Sequence, residues 1–382
     1  MNILLFNHLM NSYDLDKGAQ ACHGVAGREI GLATGFGKLG WHAHILTAYE
    51  PAQAGPVATT HSGVSLVHID TMRPEDYDIV LLMESSSWQH LVDWKRDEVY
   101  PNAVKLLDHP FVCALVDGLS NMDQLIVERA ELVGHVSHRN IPVWRERYGD
   151  NPPCFLSQWA VPSDLPVGQS SPYEPGTKNL IFTGCMVPRY VKMLNELAKT
   201  FDGNIWIAAL FVAFQRLMPQ VMAQNEDVIS GYGLSDEGRR RLFPSDNIRF
   251  ISDVRPAGYG HGPVVYGHFW DFLEHADVAL GFTLQPGMLN QHIKLWDYQA
   301  YGIPVVHEKG SPLDDFTWSS RDISLQLVSW NNPVKFSKGI ERALTVPARK
   351  KETMEWIKAA YTWDNRAARW IEEIEEIVNG RA

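Results

Sequence analysis

The sequence predicts an α/β protein of two domains, each built on a parallel β-sheet flanked by helices. Three observations predict this class. Short apolar runs alternate with segments of helical periodicity. A second alternation of the same kind follows a break rich in proline and glycine. The chain of 382 residues is long enough for two domains of ordinary size.

The first alternation occupies residues 1–165, which we take as the N-terminal domain. A polar loop follows the first strand and leads into a helix over Arg28–Leu39, where apolar residues recur at helical spacing and Gly40 ends the pattern. The predicted strands are Asn2–Asn7, His42–Thr47, Val64–Ile69, Tyr77–Met83, Phe111–Val116 and Leu132–Ser137.

The second alternation is separated from the first by the segment 163–177, which contains three prolines and two glycines without periodicity. We therefore predict a linker at 166–177, a second domain at 178–350 and a C-terminal amphipathic helix or broken helix pair at 351–382. The predicted strands are Asn179–Thr183, Ile205–Leu210, Ile248–Ile251, Asp277–Phe282 and Pro304–Val306, and the predicted helices are Tyr190–Phe201, Phe269–His275 and the segment before Gly302.

Composition and charge argue against several classes of function, among them general nucleic-acid binding, membrane spanning and metal binding. The net charge of −11 argues against a surface that binds nucleic acid throughout, although a local basic groove is compatible with it. Arg239–Arg241 is the one dense basic run, and we expect it to be a solvated helix end. No apolar run is long enough to span a bilayer, no signal-peptide pattern opens the chain, and the four cysteines lack C-x-x-C spacing. We expect a cytoplasmic protein with reduced thiols and no metal site, the Asp314–Asp315 pair included.

Several segments of the second half resemble a known family. They are NLIFTGCMVPRYVK at 179–192, NIRFISDV at 247–254, FLEHADVALGF at 272–282, KLWDYQAYGIPVV at 294–306 and YTWDNRAARWIEEIEEI at 361–377. They are similar to the GT-B glycosyltransferases, in particular the large retaining group typified by glycosyltransferase family 4. The resemblance implies two Rossmann-like domains facing a cleft, with a C-terminal helix that crosses back to the first domain. It also implies metal-independent transfer of a sugar from a nucleotide sugar, a UDP- or GDP-sugar, without a cofactor.

The resemblance assigns a donor-binding role to the helix before Gly302. Lys294 and Asp297 are three residues apart and share one helix face. We expect Lys294 to contact the diphosphate of the nucleotide and Asp297 to accept the ribose hydroxyls, where the family usually carries glutamate. The alternative is an ordinary surface ion pair.

A basic pair and a loop complete the implied donor site. Arg189 and Lys192 follow Gly184, whose missing side chain lets a ligand approach the backbone, and we expect both cations at the diphosphate. A solvated helix start is the alternative. Leu289 occupies the position of a family glutamate near the transferred sugar, and we expect it to line the donor pocket while the Asn290 amide replaces the carboxylate. This departure leaves the sugar and the retaining stereochemistry open.

The first domain offers weaker candidates. Gly18, in the loop after the first strand, is expected to cover the donor. Glu84 and Asp117 end predicted strands, where each could contact the acceptor or act as a base, or simply cap a helix. Histidines near strand ends are more often structural than catalytic; they are His8, His109, His135 and His138.

The sequence leaves the acceptor open: a carbohydrate, a lipid-linked sugar, a small molecule or a modified DNA base. Transfer to a modified base of viral DNA is one alternative function, since some enzymes of that kind share the GT-B fold, but the negative net charge opposes it. A protein that binds nucleotide sugars without catalysis is the other alternative, because of the missing glutamate at Leu289.

Overall fold

The structure is a computed structural model of the chain, and it contains two parallel sheets. It describes residues 1–7, 25–48, 64–115, 124–163, 165, 170–210, 229–230, 233–234, 236–251, 254–256, 263–265, 269–283, 293–309, 325–345 and 350–380. The first sheet is formed from residues 2–156 and the second from residues 179–328. The sheets thus lie on either side of the predicted linker, while the exact domain limits stay predictions.

The first sheet has seven strands in the order β3-β2-β1-β4-β5-β6-β7. All six neighbouring pairs are parallel, so the carboxyl ends of the strands meet at one edge. Six strands match the predicted runs to within two residues, and the short β7 was not predicted. The strands are β1 (Asn2–Phe6), β2 (His42–Thr47), β3 (Val64–His68), β4 (Ile79–Met83), β5 (Phe111–Leu115), β6 (Leu132–His135) and β7 (Cys154–Leu156).

Helices cover both faces of this sheet, and its strands are buried on both sides as expected for a parallel sheet. Along β1, Ile3 and Leu5 join the core beneath the first helix, while Leu4 and Phe6 join the opposite core. The helices are α1 (Val25–Lys38), α2 (Ser85–Arg96), α3 (Pro101–Val104), α4 (Gln124–Val127) and α5 (Asn140–Tyr148), with 3-10 turns at Pro74–Asp76 and Lys105–Asp108.

The second sheet has six parallel strands in the order β12-β9-β8-β15-β16-β17. Its strands are β8 (Asn179–Cys185), β9 (Asn204–Leu210), β12 (Ile248–Phe250), β15 (Val278–Gly281), β16 (Val305–Glu308) and β17 (Leu325–Val328). Two short antiparallel pairs accompany it: β10 (Ile229–Ser230) with β11 (Gly233–Leu234), and β13 (Val254–Pro256) with β14 (Pro263–Val265). The helices are α6 (Pro188–Ala198), α7 (Asp236–Leu242), α8 (Phe269–His275), α9 (Ile293–Ala300), α10 (Pro333–Thr345), α11 (Lys350–Ala360) and α12 (Trp363–Gly380).

Helix α12 crosses back onto the first sheet, which confirms that part of the predicted fold. It packs on α1 at very short range, because α1 presents glycines there. A Cβ atom added to Gly35 would lie 2.7 Å from the Cβ atom of Ala367 and 2.8 Å from the carbonyl oxygen of Trp363. Further along α12, the buried Trp370 indole donates to Ser157 Oγ at 2.9 Å.

The two segments that connect the sheets are bonded to each other. The amide of Val161 donates to the carbonyl of Tyr361 at 2.9 Å, and the amide of Trp363 donates to the carbonyl of Val161 at 3.0 Å. Nearby, Lys38 Nζ reaches Ser163 Oγ at 2.8 Å and Asp364 Oδ2 at 3.0 Å. Helix α1, the outgoing connection and the start of α12 are therefore joined at one place.

The close approach of α12 to α1 gives a first prediction. Gly35→Val should push the two helices apart, because its side chain has no space beside Ala367 and Trp363, and overpacking of this kind costs about 1–3 kcal/mol. Denaturant unfolding of the full chain measures the loss. The exposed Leu39→Ala variant, just beyond the same helix, serves as the control. An unchanged unfolding free energy in Gly35→Val would show that α12 does not pack here.

Candidate active site

The carboxyl edge of the second sheet brings together two residues that the sequence predicts in the donor site. Gly184, in β8, has φ 111°, a conformation that strongly favours glycine. An added Cβ atom there would lie 3.4 Å from Lys294 Nζ, so the lysine amine stands directly beside the Gly184 backbone. Lys294 Nζ donates to the carbonyl of Thr183 at 3.0 Å and lies 4.2 Å from the ring centroid of Phe182. A cation is thus held at the end of β8, beside the backbone of Gly184.

Helix α9 is fixed to β8 by two of its side chains. Tyr298 lies one helical turn after Lys294, and its hydroxyl accepts from the Thr183 amide at 2.9 Å. The same hydroxyl shares a 2.9 Å hydrogen bond with Thr183 Oγ1. Burial raises the pKa of Tyr298, so the phenol stays protonated at neutral pH. Lys294 and Tyr298 together set the position of α9 relative to the strand.

Asp297 lies on α9 between these two anchors and is half-buried. Its carboxylate is close to Tyr301, whose pKa is raised by burial and then by the negative charge of Asp297. The helix ends at Gly302, where φ is 64° and the chain turns into β16. The predicted helix, turn and strand around Asp297 are all present, while its ribose role stays a prediction.

Arg189 lies at the start of α6 and binds a carboxylate that sequence reasoning missed. Its Nη1 donates to Glu308 Oε1 at 2.9 Å and its Nη2 to Glu308 Oε2 at 2.5 Å. Glu308 ends β16 and its side chain is fully buried. The signal in the sequence was a glutamate directly after an apolar strand, a position where a charge is buried and needs a partner. Lys192, one turn further along α6, is exposed. The diphosphate roles of both cations stay predictions.

On the first sheet, Glu84 follows β4 at the carboxyl edge and starts α2. Its backbone has φ 96° and ψ 151°, a region populated almost only by glycine, and such strain costs on the order of 1–3 kcal/mol. The amide of Glu84 donates to the carbonyl of Ala114 at 3.0 Å, which extends the pairing of β4 with β5. Strain of this kind clusters at functional sites, which supports Glu84 as a candidate. The other predicted site residues lie outside the described part of the chain: Gly18, Asp117, Leu289 and Asn290.

The histidines do not strengthen the site. His135 is buried with its ring 5.1 Å from that of Trp144, and burial lowers its pKa to about 4, so it is neutral at pH 7. His109 precedes β5 and therefore lies at the amino edge of the sheet, opposite the candidate site. His138 is exposed, and His8 lies outside the described residues.

Two other predictions concern charge and metal. Arg239 in α7 lies with its guanidinium 5.1 Å from the ring centroid of Phe250, while Arg240 and Arg241 are exposed. Within the described residues, no group of three or more histidine, cysteine, aspartate or glutamate side chains is arranged to hold a metal ion. The same residues contain no helix with the length and apolarity required to cross a membrane. Asp314 and Asp315 lie outside the described ranges.

Comparison with solved structures identifies the fold. Sucrose-phosphate synthase from Thermosynechococcus elongatus matches with a TM-score of 0.68 and 14% identity over 99% of each chain. HepE from Anabaena, in complex with UDP and glucose, matches with a TM-score of 0.62 and 11% identity over 98% of this chain and 100% of its own. An α,α-trehalose-phosphate synthase (UDP-forming) from Burkholderia xenovorans gives 0.57 and 10% over 98% and 99%.

These likenesses, together with the two parallel sheets and the crossing helix, show that the chain has the GT-B fold. The predicted fold class is therefore confirmed. No family model matches the sequence, and no curated protein matches it either. At such low identity the likeness establishes the fold, and the activity has to be argued from the site.

The strained backbone at Glu84 gives the second prediction. Glu84→Gly should raise the unfolding free energy by about 1–3 kcal/mol, because glycine adopts φ 96° without steric cost. The same substitution should lower the catalytic rate, because it removes the candidate carboxylate. Glu84→Ala is the matched control, since it removes the carboxylate but keeps the strain. If Glu84→Gly gains no stability over Glu84→Ala, the strain is absent; if it keeps full turnover, Glu84 has no role in the reaction.

Proposed function

We propose that this protein is a glycosyltransferase that moves a sugar from a nucleoside diphosphate sugar to an acceptor hydroxyl. The observation that carries the proposal is the position of Lys294 Nζ beside the Gly184 backbone at the carboxyl edge of the second sheet. Open α/β sheets bind ligands at this edge, and a diphosphate needs a cation and an accessible backbone there. HepE, which shares the fold along nearly the whole chain, binds UDP, UDP-glucose, and UDP together with glucose, and this supports a UDP-sugar as the donor.

In the proposed reaction, the bond between the sugar C1 and the diphosphate oxygen breaks, and C1 bonds to the acceptor oxygen. Negative charge develops on the departing diphosphate, where Lys294 stabilises it electrostatically. Asp297 holds the nucleotide by accepting hydrogen bonds from its ribose hydroxyls. On the acceptor side, Glu84 or Asp117 takes the proton that the acceptor hydroxyl loses. Retention of the anomeric configuration and independence from metal ions are parts of the same proposal.

A ligand screen tests the proposal directly. The full chain is heated with UDP, GDP, ADP, TDP and CMP, and a nucleotide that binds the folded state should raise the melting temperature in proportion to the logarithm of its concentration above the dissociation constant. Slow hydrolysis of the matching nucleotide sugar then distinguishes a catalyst from a protein that only binds the nucleotide. The proposal fails if no nucleoside diphosphate stabilises the protein.

Lys294→Met should weaken nucleoside diphosphate binding by roughly 10- to 150-fold, which corresponds to about 1.5–3 kcal/mol for one charge-assisted contact. Methionine keeps an unbranched apolar stem against Phe182, so the fold should persist. Calorimetric titration with UDP and with UMP measures the effect, and UDP should lose more affinity. Lys199→Met, an exposed lysine just after α6, is the control. Equal UDP affinity in folded Lys294→Met protein would rule out the assigned contact.

Asp297→Asn should weaken binding of the complete nucleotide far more than binding of pyrophosphate. The carboxylate offers two acceptor oxygens to the ribose hydroxyls, whereas the amide offers only one. Titration of both ligands against the same variant makes the comparison internal to one protein preparation. If both affinities fall by the same factor, Asp297 acts through Lys294 and not through the ribose.

A further inference from the structure

In the ion pair between Arg189 and Glu308, the buried carboxylate is fully supplied with hydrogen-bond donors from the protein itself. Each carboxylate oxygen of Glu308 has two donors. Oε1 accepts from Arg189 Nη1 at 2.9 Å and from the Asn331 amide at 2.7 Å. Oε2 accepts from Arg189 Nη2 at 2.5 Å and from the Thr283 amide at 2.9 Å. Glu308 is fully buried, so these four bonds replace the water that the charge has lost.

The pair joins the carboxyl ends of three neighbouring strands to helix α6. Thr283 follows β15, Glu308 ends β16, and Asn331 follows β17, where its backbone has φ 52°. Arg189 Nη2 also donates to the carbonyl of Thr283. Because β15, β16 and β17 are adjacent in the sheet, one carboxylate fixes the relative position of all three strand ends.

Two aromatic rings flank the Arg189 guanidinium on this edge. Its central carbon lies 5.2 Å from the ring centroid of Trp330 and 5.0 Å from that of Tyr190. The Trp330 indole donates to the carbonyl of Thr283 at 3.2 Å, so it is itself tied to the same strand end. The remaining guanidinium nitrogen, Nε, is buried. The cation is therefore stacked, paired and largely removed from solvent.

This geometry conflicts with the expected role of Arg189 as a free cation for the diphosphate. A guanidinium with both Nη groups on one carboxylate has its charge compensated by that carboxylate. Turning it toward a phosphate would leave the negative charge of Glu308 buried without its cation, which is the costly way to break such a pair.

We propose that Arg189 and Glu308 act as one charge-neutral positioning pair that fixes the ends of β15, β16 and β17, and that Arg189 does not bind the diphosphate of the donor. Glu308 is then a positioning residue that touches no substrate. The part that concerns the diphosphate rests on the proposed function; the positioning part does not. Arg189 accordingly contributes to the donor site as part of its wall.

A double-mutant cycle tests the pair in the full chain. Arg189→Met and Glu308→Gln should each lower the melting temperature by about 5 °C or more, and the double variant should recover a substantial part of the loss, because no uncompensated buried charge remains. Glu196→Gln and Lys199→Met, an exposed ion pair at the end of the same helix, form the control cycle and should show little coupling. Additive losses in the Arg189 and Glu308 cycle would overturn the positioning pair.

Titration of the same variants with UDP tests whether Arg189 binds the diphosphate. The double variant should bind UDP roughly tenfold more tightly than Arg189→Met alone, since the single variant leaves a buried negative charge at the site. If Arg189 contacts the diphosphate instead, the double variant will bind no more tightly than the single one. Absence of UDP binding by the unmodified protein would count against the proposed function, and the melting-temperature cycle would still decide the positioning role.

Arg189→Lys provides the decisive variant should either single substitution unfold the chain. Lysine keeps the positive charge but lacks the planar fork that grips both oxygens of Glu308. A positioning role predicts that the melting temperature and the UDP affinity both fall toward those of Arg189→Met. A phosphate contact predicts that most of the UDP affinity survives, and that outcome would overturn the proposal.

Discussion

The geometry of the candidate site depends on one residue, Thr183, to which helix α9 is tied by two side chains. The Tyr298 hydroxyl accepts a hydrogen bond from the Thr183 amide at 2.9 Å, and Lys294 Nζ donates one to the Thr183 carbonyl at 3.0 Å, both ordinary hydrogen-bond lengths. Because the two side chains are one helical turn apart, they lie on the same face of α9 and fix that face against the end of β8. Asp297, which lies between them in sequence, inherits its position from this attachment. The donor-side groups are thus placed by regular elements and not by a loop.

A second constraint concerns charge at the same edge. The sheet buries the Glu308 carboxylate, and the fold compensates it with an arginine that is 119 residues away in the chain. This pairing links helix α6, near the start of the second sheet, to the ends of β15, β16 and β17. Lys294 lies on the same edge, where its amine donates to the carbonyl of Thr183 beside the Gly184 backbone.

Sequence reasoning recovered the parts of this architecture that local patterns encode. Buried parallel strands appear as short apolar runs, and the turn at Gly302 has its own signature, so the strand order in the chain and the helix carrying Lys294 and Asp297 could be predicted. The pairing of Arg189 with Glu308 could not, because no local pattern reports which distant charge meets a buried carboxylate. The strain at Glu84 was equally hidden, since glutamate is an unexpected residue at φ 96°. Strands β7 and β17 were not predicted either, although strands of the same length, such as β12 and β16, were.

The two halves of the chain are connected through two helix contacts, one with each half. Helix α12 is held against α1 by the contact at Gly35, and helix α11 packs beside α9, where the rings of Trp296 and Tyr361 lie 4.8 Å apart. Between these helices only Tyr361 and Thr362 remain. Val161 of the other connection donates to the Tyr361 carbonyl and accepts from the Trp363 amide, on either side of Thr362. A rotation of one sheet against the other that leaves both helix contacts intact would therefore have to bend the returning chain at Tyr361 and Thr362. Since both connections are joined there, the outgoing and returning chains are fixed to each other at one place between the two sheets.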